Sequence, residues 1–175
     1  MDGPADQARG LLFNRKHTLL DPYAKAVTGQ RNWGEKPEGG KDFVYKARVV
    51  QSDFDWGRYR NLNYKFEDLV IYEMHVRGFT KDASSGVKGG GTFEGLRQKI
   101  PYLKDLGINA VELMPIFEFD EMESARVVDG VQLYNYWGYN TVSFFAPNTS
   151  YAFHQEHNHE GDELKRLIRE LKENG

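Results

Sequence analysis

The chain has 175 residues, a net charge of −3, 11 Phe, 10 Tyr and 3 Trp, and no cysteine. The aromatic supply is enough for a packed core and argues against wholesale disorder. The mixed charge, with no basic stripe, argues against nucleic acid as a partner, and the missing cysteine excludes a disulfide scaffold and a thiolate zinc site. The opening MDGPADQARG lacks the apolar core of a secretion signal. No run approaches the roughly 18 apolar residues of a bilayer span, so no membrane partner and a cytoplasmic location are expected.

Residues 1 to about 66 are rich in Gly, Pro, Asn and charge, interrupted by two short strand-like runs, Leu19–Leu20 and Phe43–Val50. This segment reads as the tail of a preceding domain plus a linker. The pattern changes at Asp68. Leu69 to Val76 is an apolar run rich in β-branched and aromatic residues, the signature of a strand covered on both faces in a parallel sheet. Glu73 and His75 share one face of it, in core or barrel-interior packing.

The glycine-rich stretch Gly86 to Gly91 lacks the Lys-Ser/Thr ending of a phosphate-binding loop and reads as a turn. Thr92 then caps a helix with Glu94 in its first turn. Phe93, Leu96, Ile100, Leu103 and Leu106 keep helical spacing up to Gly107. Pro101 lies inside that pattern and predicts a kink or two short helical pieces. Ile108 to Ile116 reads as a second buried strand.

From Phe117 to about His159 the chain carries Tyr134, Tyr136, Trp137, Tyr139, Phe144, Phe145, Tyr151 and Phe153, and so reads as a long ordered loop. Leu164, Leu167, Ile168 and Leu171 mark a final amphipathic helix, with Asp162–Arg166 and Arg166–Glu170 as candidate pairs and Asn174-Gly175 as its stop. Strand, helix, strand, loop, helix predicts an α/β fold with parallel strands and right-handed crossovers. Two strands cannot bury both their faces, so the chain reads as cut at an element boundary, with a large apolar patch exposed.

Several segments resemble isoamylases and glycogen-debranching enzymes of the α-amylase superfamily. Leu19-Leu20-Asp21-Pro22-Tyr23-Ala24-Lys25 is similar to the segment leaving their N-terminal β-sandwich, and Phe54-Asp55-Trp56 to their pre-barrel linker. Val70 to Thr80 resembles their first barrel strand; Gly91 to Leu96 and Ile100 to Lys104 resemble the first helix. Ala110 to Pro115 is similar to the second strand, and Asn135-Tyr136-Trp137-Gly138-Tyr139-Asn140, followed by Phe144-Phe145-Ala146-Pro147, to the loop after it.

The resemblance implies residues 1–67 as the end of a β-sandwich domain plus linker. It implies residues 68–175 as the N-terminal quarter, two βα units, of a (β/α)₈ TIM barrel of ~250 residues. It implies a glycoside hydrolase cleaving α-1,6 branch points of glycogen, starch or limit dextrin by a retaining mechanism. The family's catalytic acids follow later barrel strands, beyond Gly175, so no catalytic residue is carried onto this chain, which is expected to be inactive alone. Alternatives are an enzyme acting on α-1,4 bonds or trehalose-capped chains, and a non-catalytic glucan-binding protein.

Tyr139 is the expected substrate contact: the resemblance places it at the subsite of the glucose being cleaved, and an aromatic ring covers the apolar face of a sugar. Trp137 and Tyr136 are expected to support it by packing. Glu118, Asp120, Glu121 and Glu123 read as a solvated acidic face; Glu118, Asp120 and Glu121 are also weak calcium candidates, since Ca²⁺ takes clustered oxygen ligands. His154, His157 and His159 read as a solvated loop, without the spacing of a zinc site.

Overall fold

A computed structural model describes residues 3–14, 16, 18–36, 44–58, 61–154, 156 and 158–175. Strands β1 (Ala5–Asp6) and β2 (Leu11–Leu12) form a minimal antiparallel pair. Strand β3 (Ile71–Met74) leads through helices α1 (Val76–Thr80), α2 (Phe93–Arg97) and α3 (Ile100–Asp105) to β4 (Ala110–Leu113). Then come β5 (Phe117–Phe119), β6 (Arg126–Val128), β7 (Val131–Leu133), β8 (Thr141–Pro147) and the long helix α4 (His159–Glu173).

β3 and β4 pair in parallel, with Tyr72 opposite Val111 and Met74 opposite Leu113, as the apolar runs predict. Both strands are shorter than expected, and Val76 is helical. His75 ends the strand because its ring Nδ1 accepts the Gly78 N–H, capping α1. Burial on both faces is met on one face only: Met74 is buried, but Ile71 is 51% exposed, and Glu73 lies on that open face opposite Glu112.

Thr92 caps α2 through its hydroxyl, and Pro101 falls in the first turn of α3, where its missing N–H costs nothing. That divides the predicted helix into two pieces. Phe93, Leu96, Ile100 and Leu103 bury one stripe, and Leu167 of α4 enters the same core, with Leu164 and Leu171 packed against it. Arg97 ties the two layers, with Glu94 and Glu170 each at 2.7 Å. Glu170 is thus taken by Arg97, and Asp162 by Lys165, in place of the expected Arg166 pairs.

The stretch from Phe117 to His159 is ordered, but it is not a loop. Asp129 and Gly130, both at positive φ, turn β6 into β7 as a two-residue hairpin. β8 returns antiparallel to β5 through an irregular register. Upstream, Leu19–Leu20 forms no strand. Phe43 lies outside the described residues, and residues 44–50 contribute the isolated bridge Val27↔Ala47. Packing nevertheless runs across residue 67: Ala24 and Val27 form a second small core with Ala146 of β8, and Trp33 packs on the main one.

Leu167 is fully buried where α4 meets the sheet-covering helices. Leu167→Ala should cost about 2–5 kcal/mol, read as a lower urea midpoint; an unchanged midpoint would contradict this placement of α4.

Candidate functional site

The carboxyl end of β3 carries the site. His75 is buried, and because its Nδ1 accepts from Gly78 N at 3.1 Å, its proton sits on Nε2. That Nε2–H donates to the backbone carbonyl of Tyr136 at 2.7 Å, with the Tyr151 hydroxyl 3.3 Å away. The Tyr136 ring lies flat on the imidazole at 4.0 Å between centroids. Burial, foremost, lowers the His75 pKa, which favours the neutral ring that both hydrogen bonds require. Glycine at 78 leaves room for this stack, since a Cβ there would overlap the Tyr136 hydroxyl.

Trp33 closes the cluster from the N-terminal segment. It stacks on Tyr151 at 6.1 Å, meets His75, Phe119, Tyr134 and Tyr136 edge-on, and lies under the Arg77 guanidinium at 4.7 Å.

The segment after Tyr136 is pinned on both sides. Asn135 N donates to Glu121 O at 2.9 Å, and Gly138, at φ 76°, lies so close to Phe119 that a Cβ would overlap that ring. Between these anchors Trp137 is 60% exposed, and Tyr139, the residue after Gly138, is 71% exposed. Tyr139 therefore stands as an exposed aromatic on a fixed backbone. Tyr136 packs on His75, as expected of a supporting residue; Trp137 meets Tyr136 edge-on at 6.1 Å but is itself 60% exposed.

The acidic residues depart from the expected solvated face. Glu118 and Glu121 are fully buried, Asp120 is half-buried, and Glu123 alone is exposed. Glu118 accepts from the Thr149 backbone at 2.7 Å and hydroxyl at 3.2 Å; Glu121 accepts from Gly34 N at 3.0 Å; Asp120 holds the Gln30 amide and Met122 N. Burial pushes Glu118 up to about 8 and Glu121 up to about 7, against the pull of these N–H donors. The same burial, with the carboxylates adding to it, raises the Tyr45 hydroxyl.

Asp120 and Glu121 thus clasp Gln30 and Gly34 to the sheet, and Glu118 holds Thr149, whose hydroxyl accepts from Arg31 N at 3.3 Å. Among the described residues no group of three or more His, Asp or Glu is arranged to hold a metal ion, and the calcium candidates Glu118, Asp120 and Glu121 accept from Thr149, from Gln30 and Met122, and from Gly34. His154 is exposed, as a solvated loop would have it, and bonds Glu163; His159 instead begins α4 and meets Glu156, and His157 lies outside the described residues. Gly86 to Gly91 is a turn, fixed by Gly91 N donating to the Thr80 hydroxyl at 2.8 Å.

Trp33, the Asp129-Gly130 hairpin and the buried state of Glu118 escaped the sequence reading. Only the hairpin had a local signal, an Asp-Gly pair between two apolar runs.

Comparison with known proteins adds context. A family model described as alpha amylase, catalytic domain, matches residues 43–175. Isoamylase 1, chloroplastic, of Arabidopsis thaliana is 38% identical over 99% of this chain and 23% of its own length. The glycogen operon protein GlgX homolog of Mycobacterium tuberculosis (strain ATCC 25618 / H37Rv) is 34% identical over 99% of this chain and 26% of its own. The structure of pullulanase type I from Bacillus subtilis str. 168, complexed with maltose, superposes with a TM-score of 0.67 at 27% identity, covering 89% of this chain and 21% of that one. The chain therefore spans about a quarter of the length of the curated relatives it matches. No helix among the described residues is long and apolar enough to cross a membrane.

Both buried carboxyls keep a proton in the folded chain that the unfolded chain, with an ordinary value of 4.5, has released. Folded stability should therefore fall as pH rises from about 5 to 8. Glu118→Gln should flatten that slope in thermal melts. A slope that is level or rising in the parent chain would contradict the assignment.

Proposed function

The chain belongs to the α-amylase family, and on that premise we propose that it contributes substrate-binding surface to a glycoside hydrolase of α-1,6 branch points in glycogen, starch or limit dextrin. In this reading residues 68–175 are the first two βα units, about a quarter, of a (β/α)₈ barrel. Residues 1–67 are the end of a preceding β-sandwich domain and its linker, and the protein works in the cytoplasm. The parallel β3–β4 pair with its covering helices, and the barrel rule that function gathers at the carboxyl ends of strands, support the placement.

One observation carries the proposal. Trp137 and Tyr139 are exposed together on a backbone anchored to the end of β3 through His75. A pyranose ring offers apolar C–H faces to such rings while its hydroxyls stay solvated. The maltose in the Bacillus subtilis pullulanase complex supports an α-glucan as the ligand. Glu118 and Glu121 are not the acid pair. A retaining mechanism needs two carboxyls about 5–5.5 Å apart across the scissile bond, and these two are buried, Glu118 bonded to Thr149 and Glu121 to Gly34.

Tyr139→Ala in the enzyme that carries this chain should lower kcat/KM for branched glucan at least about tenfold, or ~1.4 kcal/mol of transition-state binding. The melting temperature should hold, because the ring is 71% exposed. A kcat/KM within about threefold of the parent would remove the platform role.

A further inference from the structure

We propose that residues 30–34 form a strap whose Trp33 is a positioning residue for the exposed aromatics: docked, it fixes Tyr134 and Tyr136, and through them the rings at 137 and 139. The inference rests on the glucan reading of those rings and adds a residue that touches no sugar. It makes a stretch far upstream of the barrel strands a determinant of glucan binding. The strap carries its own turn. Asn32 N donates to Gln30 O at 2.6 Å, the Asn32 amide donates to Glu35 at 2.9 Å, and Gly34 turns the backbone at φ 80°. That turn delivers the Trp33 ring into the cluster, where it lies parallel to Tyr151, with 8° between the planes, and within 4.7 Å of the Arg77 guanidinium.

The ring meets both tyrosines that lead into the platform. Between centroids, Tyr134 lies 6.4 Å away and Tyr136 6.0 Å away, each edge-on. Tyr134 also rests on the next residue of the strap, where a Cβ on Gly34 would stand 2.9 Å from its hydroxyl and 3.0 Å from its ring. Glu121 ties the same two stretches together a second time. Its side chain accepts from Gly34 N at 3.0 Å, and its backbone carbonyl accepts from Asn135 N at 2.9 Å. Strap and platform segment are therefore packed on each other and bonded to one shared residue.

Residues 134–140 lie between β7 and β8 and belong to no strand or helix. No ladder of backbone bonds holds them, so their order comes from single tertiary contacts: His75 on Tyr136, Glu121 on Asn135, Phe119 against Gly138, and the strap on Tyr134 and Tyr136. Trp33 is the largest side chain among these contacts, and it comes from outside the sheet. An aromatic surface that is ordered before the sugar arrives binds with a smaller ordering cost. Loss of Trp33 should therefore loosen the segment and weaken binding without touching any group that meets the ligand.

The test uses the enzyme that carries this chain, with amide exchange and glucan kinetics read side by side. Trp33→Ala should speed exchange across residues 134–140 at least about tenfold while α4 around Leu167 keeps its protection. It should also raise KM for branched glucan several-fold, and Trp33→Phe, which keeps a ring, should recover most of both effects. Because Trp33 acts through the platform, Trp33→Ala combined with Tyr139→Ala should lose far less than the product of the two single losses. Unchanged exchange at 134–140 overturns the strap. Exchange that accelerates equally in α4 marks ordinary core packing and overturns it too, as do single losses that multiply in the double variant. Should Trp33→Ala not fold, Gly34→Ala presses a Cβ onto Tyr134 and reads the same exchange, and an unchanged rate there overturns the strap. A Tyr139→Ala enzyme with the parent's kcat/KM overturns the glucan reading instead, and the exchange rates then decide the strap alone.

Discussion

One imidazole joins the sheet to the surface that carries the exposed aromatics. His75 sits where β3 ends, and it uses both ring nitrogens at once: one accepts the N–H that starts α1, the other donates to the carbonyl of Tyr136, sixty-one positions downstream. Each bond requires the other's tautomer. A protonated ring would have no lone pair for Gly78, and the alternative tautomer would turn a lone pair toward a carbonyl oxygen. Desolvation lowers the His75 pKa and keeps the neutral form that satisfies both. The exposed aromatics at 137 and 139 inherit their position from that bond, from the Tyr136 ring stacked on the imidazole, and from Gly138 pressed on Phe119. Tyrosine on a fixed backbone binds with little ordering cost, which a mobile loop would have to supply.

The N-terminal segment is the second constraint. It reaches the cluster through Trp33 and is held by Asp120 at Gln30 and by Glu121 at Gly34. Gly29 has no space for a side chain, because a Cβ would overlap both Thr149 and Glu118. Arg48, from the same segment, pairs with the buried Glu160 at the start of α4 and donates to Val27 O at 3.0 Å. Buried carboxylates here act as fasteners. They are costly unless hydrogen-bonded, and their raised pKa values record that cost.

What the sequence revealed depended on range. The break at Pro101, the Thr92 cap, the α4 stripe and the two parallel strands rest on contacts within a few residues or on period, so they were legible. Strand ends were not: Val76 looks like a strand residue until the His75 side chain caps a helix instead. The acidic run at 118–123 reads as solvated because its partners, Thr149, Gly34 and Gln30, lie far along the chain. Trp33 sits in a stretch of glycine and charge with no periodicity to flag it. Tyr139 was singled out only through resemblance to debranching enzymes, and the exposure of Trp137 was not legible because exposure is a tertiary property.

The dependence of the platform on His75 is open to one direct test. Amide hydrogen exchange across residues 135–140 should be compared between the parent chain and His75→Phe, which keeps a flat ring but removes both hydrogen bonds. Exchange there should accelerate at least about tenfold, a loss of ~1.4 kcal/mol of local protection, while α4 around Leu167 keeps its protection. Unchanged protection at 135–140 would mean that the aromatic surface is held without the imidazole.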